Sequence, residues 1–214
     1  MNLYGFLLVV HIASGAVTLV SAAIAILARQ LNWKHQLHKV SGSVFSGAML
    51  LIFLTALPMS LLKFNLFLLL ISVFSFYLML SGWLYATDRQ DTRSPVLLTV
   101  SSIMLAVSAA MIAFGMWSLV TGNQNGLVVL VFGSIGALLA RADWRIARVG
   151  GAKGKKRITQ HLTQMIGATI AAITAFLVNT VQLPGFWGVV LWLAPTALLV
   201  PVIVLQSRKQ MQKA

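Results

Sequence analysis

NLFLLLISVFSFYLMLSGWLYA, residues 65–86, runs for 22 positions without a Lys, Arg, Asp, Glu or His. A helix needs about 20 mostly apolar residues to cross the hydrocarbon core of a bilayer. The apolar residues here are continuous and do not alternate one by one, which speaks for a helix and against a barrel strand.

The same pattern repeats on both sides. Six further segments qualify, at about 4–28, 40–62, 95–119, 125–143, 158–181 and 184–206. The breaks carry turn and boundary signals: RQLNWKHQLHK is polar and basic, TDRQDTRSP ends in Pro95, TGNQNG is a turn cluster, and VQLPG sets Pro184 beside Gly185. The fifth segment is the shortest in continuous apolar length, with Arg141 and Trp144 completing it at the interface. The start, MNLYGFLLVVHIASG, lacks a basic leading region and reads as the first membrane helix, not as a removed signal peptide.

Composition agrees. Hydrophobic residues make up 59% of the 214 and charged residues 9%, with mean hydropathy +0.91; soluble domains carry roughly a quarter charged residues. The expected fold is all-α, a single polytopic membrane bundle over residues 1–214 with seven transmembrane helices. The lipid bilayer is its first partner.

The formal charge of +13 would suggest nucleic acid, but the placement of the cations argues against that reading. They sit in short loops and at helix ends. Arg29, Lys34, Lys39, Arg89, Arg93, Arg141, Arg145, Arg148, Lys153, Lys155, Lys156, Arg157, Arg208, Lys209 and Lys213 fall on one side, and Lys63 alone on the other. Fifteen of sixteen on one side predicts an N-terminus outside and a C-terminus in the cytoplasm. The basic loop GGAKGKK, 150–156, does not fit the phosphate-loop pattern and reads as a contact for anionic lipid headgroups.

Absent residues narrow the chemistry. With no cysteine, disulfides, iron–sulfur clusters, thiolate metal sites and covalent c-type haem are excluded. With no glutamate, the acidic residues are Asp88, Asp91 and Asp143, which read as loop or helix-end residues.

The histidines are therefore the candidate site residues, because an ionisable side chain within a membrane segment points to function. His11 lies in the outer half of helix 1. His38 opens helix 2 from the cytoplasmic side, and His161 lies about one turn into helix 6 from the same side. Helical rise separates His11 from His161 by about 15 Å in depth, too far to share one ion. His38 and His161 share a level, and His35 stands three residues before His38, able to face the same way. A cytoplasmic-side site follows as an expectation: His38 and His161, with His11 at a second site, for b-type haem, or His35, His38 and His161 for a divalent metal. Gly42, four residues after His38, would make room for a flat macrocycle. The plainer readings are a solvated loop for His35, anchoring or capping for His38 and His161, and an interhelical hydrogen bond for His11.

HIASG at 11–15, HKVSGSVF at 38–45 and HLTQM at 161–165 resemble signatures of a bacterial membrane-protein family, domain of unknown function 2306. Its pattern has a histidine with a glycine four residues on, then His-Arg-x-x-Gly-Arg opening the next helix, then a histidine followed by x-x-Trp-Met. His11 with Gly15, His38 with Gly42 and His161 with Met165 match; Lys39 and Ser43 stand for the arginines and Gln164 for the tryptophan. The resemblance implies the inner membrane of a bacterium and the choice of histidines, but no reaction.

The leading functional expectation is a histidine-liganded cofactor protein. A small-solute or ion transporter is the alternative. A third is an accessory or assembly protein, with a protein partner or second copy meeting the small residues of helices 2, 4 and 5, such as Ser41, Ala109 and Gly133.

Overall fold

The computed structural model describes residues 2–31, 33, 35–87 and 94–212. They form seven helices: α1 (Leu3–Gln30), α2 (His35–Leu62), α3 (Leu66–Thr87), α4 (Pro95–Val120), α5 (Asn125–Arg148), α6 (Gly154–Val181) and α7 (Gly185–Gln212). All seven are long and apolar enough to cross a membrane. Asp88 and Asp91 lie outside the described residues.

Helix boundaries follow local chemistry. Asn2 caps α1, its side chain accepting from the Gly5 N–H at 2.8 Å. Ser94 does the same for α4, accepting from Leu97 N–H, and Pro95 fills the first helical position. Beyond α5, Gly150 and Gly151 take positive φ values of 102° and 84°, and the Gly151 N–H returns to Ile146 O at 2.9 Å, closing the helix end. Several expected boundaries move: α2 begins at His35 and not at 40, α5 runs to Arg148 and not to 143, α6 begins at Gly154 and not at 158, and α7 runs to Gln212 and not to 206.

The chain packs as two compact units, 1–72 and 73–214, whose boundary falls inside α3. In the first, α1 packs along α2. Its buried seam recurs as Ser14, Thr18, Ser21, Ala25 and Ala28, answered by Ser41, Phe45, Ala48 and Thr55 on α2. Spacings of three and four residues are those of left-handed helix pairs.

The second unit is organised by α4 against α5. Leu97, Ser101, Met104, Ser108, Met111 and Gly115 form one seam, and Gly126, Val129, Gly133, Gly136, Ala140 and Asp143 form the other. Without water, helices associate through close van der Waals fit, which small residues permit. The contact is tightest at Gly126, where an added Cβ would lie 2.6 Å from Gly115 O. Phe74 of α3 stacks on Phe132, ring centroids 5.6 Å apart. Exposed apolar side chains such as Leu138 and Leu198 suit lipid.

Overpacking a close contact costs about 1–3 kcal/mol. Gly126→Ala should therefore destabilise the bundle by that order. Gly15→Ala, whose added Cβ meets nothing within 4 Å, should not destabilise and should gain up to about 1 kcal/mol of helix propensity. Unfolding of the two variants in mixed micelles checks the difference.

Candidate functional site

Asp143 is fully buried, at 0% exposure. It is neither a loop residue nor a solvated helix end: it stands five residues before Arg148, the last residue of α5. The correction has a local cause. Arg141, Arg145 and Arg148 occupy the exposed side of the same turns, so the stretch reads as a polar end. The seven-residue repeat of small residues, carried through Ala140 to Asp143, puts the carboxylate on the opposite, packed face.

Three side chains from two other helices hold it. Tyr77 donates its hydroxyl to Oδ2 at 2.5 Å, Tyr85 donates to Oδ1 at 2.7 Å, and Gln164 Nε2 donates to Oδ2 at 2.8 Å. Gln164 Nε2 also lies 3.5 Å from the Tyr77 hydroxyl. All three donors are neutral, and both oxygens accept, the hydrogen-bond pattern of an ionised carboxylate. Tyr77 and Tyr85 are eight residues apart, about 12 Å along α3, so they reach the carboxyl group from either side along the helix.

Gln164 is itself at 0% exposure, and its Oε1 has no hydrogen-bond partner. A buried acceptor without a donor costs about 1–3 kcal/mol. The close approach of α3 and α6 is made at Gly82, where an added Cβ would lie 3.0 Å from Met165 Cγ and 3.2 Å from Gln164 Cβ. His161 donates from Nδ1 to the Gly82 carbonyl at 2.8 Å. The stretch HLTQM thus sets His161, Gln164 and Met165 against one turn of α3.

An apolar cluster of Tyr85, Leu97, Ile146 and Ala147 separates Asp143 from the end of the unit where α3 and α5 finish and α4 and α6 begin. Arg148, the last residue of α5, lies about 7.5 Å beyond Asp143 at helical rise. In the other direction eighteen residues of α5 remain before Asn125, about 27 Å at helical rise.

The other histidines belong to the first unit. His11 Nδ1 lies 2.9 Å from Thr55 Oγ1. The Thr55 hydroxyl hydrogen goes to the carbonyls of Leu51 and Ile52, so His11 is the donor. His38 donates from Nδ1 to Ala25 O at 2.9 Å. Both are α1–α2 contacts, so His11 makes the interhelical bond that was its plainer expectation. His35 opens α2 and is exposed. Among the described residues, no three His, Cys, Asp or Glu side chains are grouped to hold a metal ion. The cluster expected from His35, His38 and His161 is not a grouping the structure displays.

No family model, curated protein or solved structure matches the chain.

Interhelical hydrogen bonds between neutral groups in membranes average about 0.6 kcal/mol, whereas bonds to charged groups contribute about 1.5–3 kcal/mol. Tyr85→Phe should therefore destabilise the protein clearly more than Thr55→Val. Parallel unfolding titrations in lipid–detergent micelles check the order.

Proposed function

We propose that the protein is a proton-coupled transporter of a small solute or ion, with Asp143 as the group that takes up and releases the proton. The observation that carries this reading is the fully buried carboxylate in a membrane-spanning helix, held by neutral donors alone. A carboxyl group inside a membrane segment is expensive and marks proton relays and ion pathways. With Asp143 in the bundle, proton coupling does not have to rest on His11 or His161.

Three donors converge on two oxygens, a demand that a carboxylate meets and an amide with one acceptor oxygen does not; a carboxylate is also a group that can gain and lose a proton. The inner membrane of a bacterium, an external N-terminus and a cytoplasmic C-terminus belong to the same proposal, supported by the one-sided cations. So does the resemblance to domain of unknown function 2306, which names no reaction. Anionic lipid headgroups are the proposed partners of the basic stretch 153–157.

Asp143→Asn tests the reading. It keeps the shape and one acceptor oxygen but cannot bind a proton at neutral pH. In vesicles containing the purified protein and a pH dye, a potassium diffusion potential should drive proton entry in the wild type. The Asn variant should fall to the rate of protein-free vesicles while its helical circular dichroism is retained. Undiminished entry in the variant, or wild-type entry no faster than in empty vesicles, sinks the proposal.

A further inference from the structure

We infer that Gln164 makes the Asp143 site specific for a proton, by donating to the ionised carboxylate and accepting from the protonated one. This rests on the reading of Asp143 as the proton-binding group, and it goes further by naming the residue that selects the ion.

Hydrogen accounting carries it. With Asp143 ionised, its two oxygens accept from Tyr77, Tyr85 and Gln164 Nε2. The buried Gln164 Oε1 accepts from nothing. When Asp143 gains a proton, its new O–H becomes a donor and requires an acceptor. The tyrosine hydroxyl hydrogens are committed to Asp143. Within the cluster, Gln164 Oε1 is the buried oxygen that makes no hydrogen bond of any kind.

An amide is nearly symmetric in shape but opposite in hydrogen bonding at its two ends. A half-turn about the last side-chain bond of Gln164 exchanges Nε2 and Oε1, bringing the acceptor to the acid. The alternative is a relay: Asp143 donates to the Tyr77 oxygen, and the Tyr77 hydrogen passes to the turned amide. Both arrangements end on Oε1. The one covalent bond formed is O–H on Asp143, with hydronium becoming water; Gln164 makes and breaks hydrogen bonds only.

A metal cation has different needs. It requires several oxygens turned toward it together. Here the carboxylate oxygens already accept three hydrogen bonds, and two of the donors are hydroxyls of a helix packed against the site. A proton requires one acceptor more, and one acceptor is what the cluster holds in reserve. Leucine or methionine at 164 would supply neither the donor nor the acceptor.

Infrared difference spectra, acid minus neutral, of the full chain in lipid bilayers test the inference. Four samples are needed: wild type, wild type with ¹⁵N side-chain-labelled glutamine, Asp143→Asn and Gln164→Met. A carboxylic-acid carbonyl band should appear on acidification and be lost in Asp143→Asn. A glutamine amide band that shifts with the label should change together with it and vanish in the same variant. In Gln164→Met the amide change should be lost and the acid band should move to the position of a more weakly hydrogen-bonded acid. An Asp143-dependent acid band with no change in the labelled amide overturns the role of Gln164 and leaves proton binding standing. Loss of the acid band on adding sodium or magnesium at fixed pH overturns proton specificity. Absence of any Asp143-dependent acid band while the protein stays helical overturns the proposed function itself. Should Gln164→Met fail to fold, labelled Gln164→Asn, which keeps an amide but places no labelled glutamine at 164, decides the question: the labelled amide change should be lost there, and its persistence overturns the role of Gln164.

Discussion

A carboxylate removed from water must receive hydrogen bonds from its own protein, and in the second unit the packing serves that requirement. Ionised carboxyl groups lose several kcal/mol of solvation on burial, which Tyr77, Tyr85 and Gln164 offset in part. Their reach depends on backbone proximity. Gly82 lets α6 approach α3 closely enough for Gln164 to meet Asp143, and at Gly167 an added Cβ would lie 3.5 Å from Leu78 Cδ1 of α3. On α5 the carboxylate continues a seam of glycine and alanine, so the helix that carries it is held by α4 on the same face that presents it to α3 and α6.

The first unit solves a smaller problem with the same means. Its α1–α2 seam is made of serine, threonine and alanine, and histidines stitch it near both ends, His11 to Thr55 and His38 to Ala25 O. The serine and threonine hydroxyls mostly return to carbonyls of their own helix, as Ser21, Ser41 and Thr55 do. That pattern satisfies them in lipid without constraining a neighbour. The interhelical clips are thus few, and the imidazoles supply them.

Position within the second unit bears on mechanism. Asp143 stands about 7.5 Å from the nearer end of α5 at helical rise, on the side of the apolar cluster. Toward the farther ends stand Ala140, Met104, Met111 and the stacked Phe74 and Phe132. On the proposed transporter reading, a proton reaching Asp143 would meet the shorter barrier from the basic end, where Tyr85 touches the carboxylate and belongs to the apolar cluster, and passage onward would require the long seam to part.

Long charge-free runs such as 65–86 determine by themselves that the chain forms seven apolar helices, since lipid offers the backbone no other partner. The short loops and their residues set where the helices turn, within a few positions. The histidines are legible as intramembrane groups, because ionisable residues stand out against so apolar a background. What each one touches is not legible: His11 meets Thr55 44 residues away and His161 meets Gly82 79 residues away, contacts that no local pattern encodes. Asp143 is hidden further by its neighbours, since Arg141, Arg145 and Arg148 lend the segment the average polarity of a helix end. Its small-residue repeat marks a packed face, yet only packing decides that two tyrosines of α3 and a glutamine of α6 arrive there. Hydropathy is a property of a segment taken alone, whereas a buried carboxylate is stable only through groups brought to it from elsewhere in the chain.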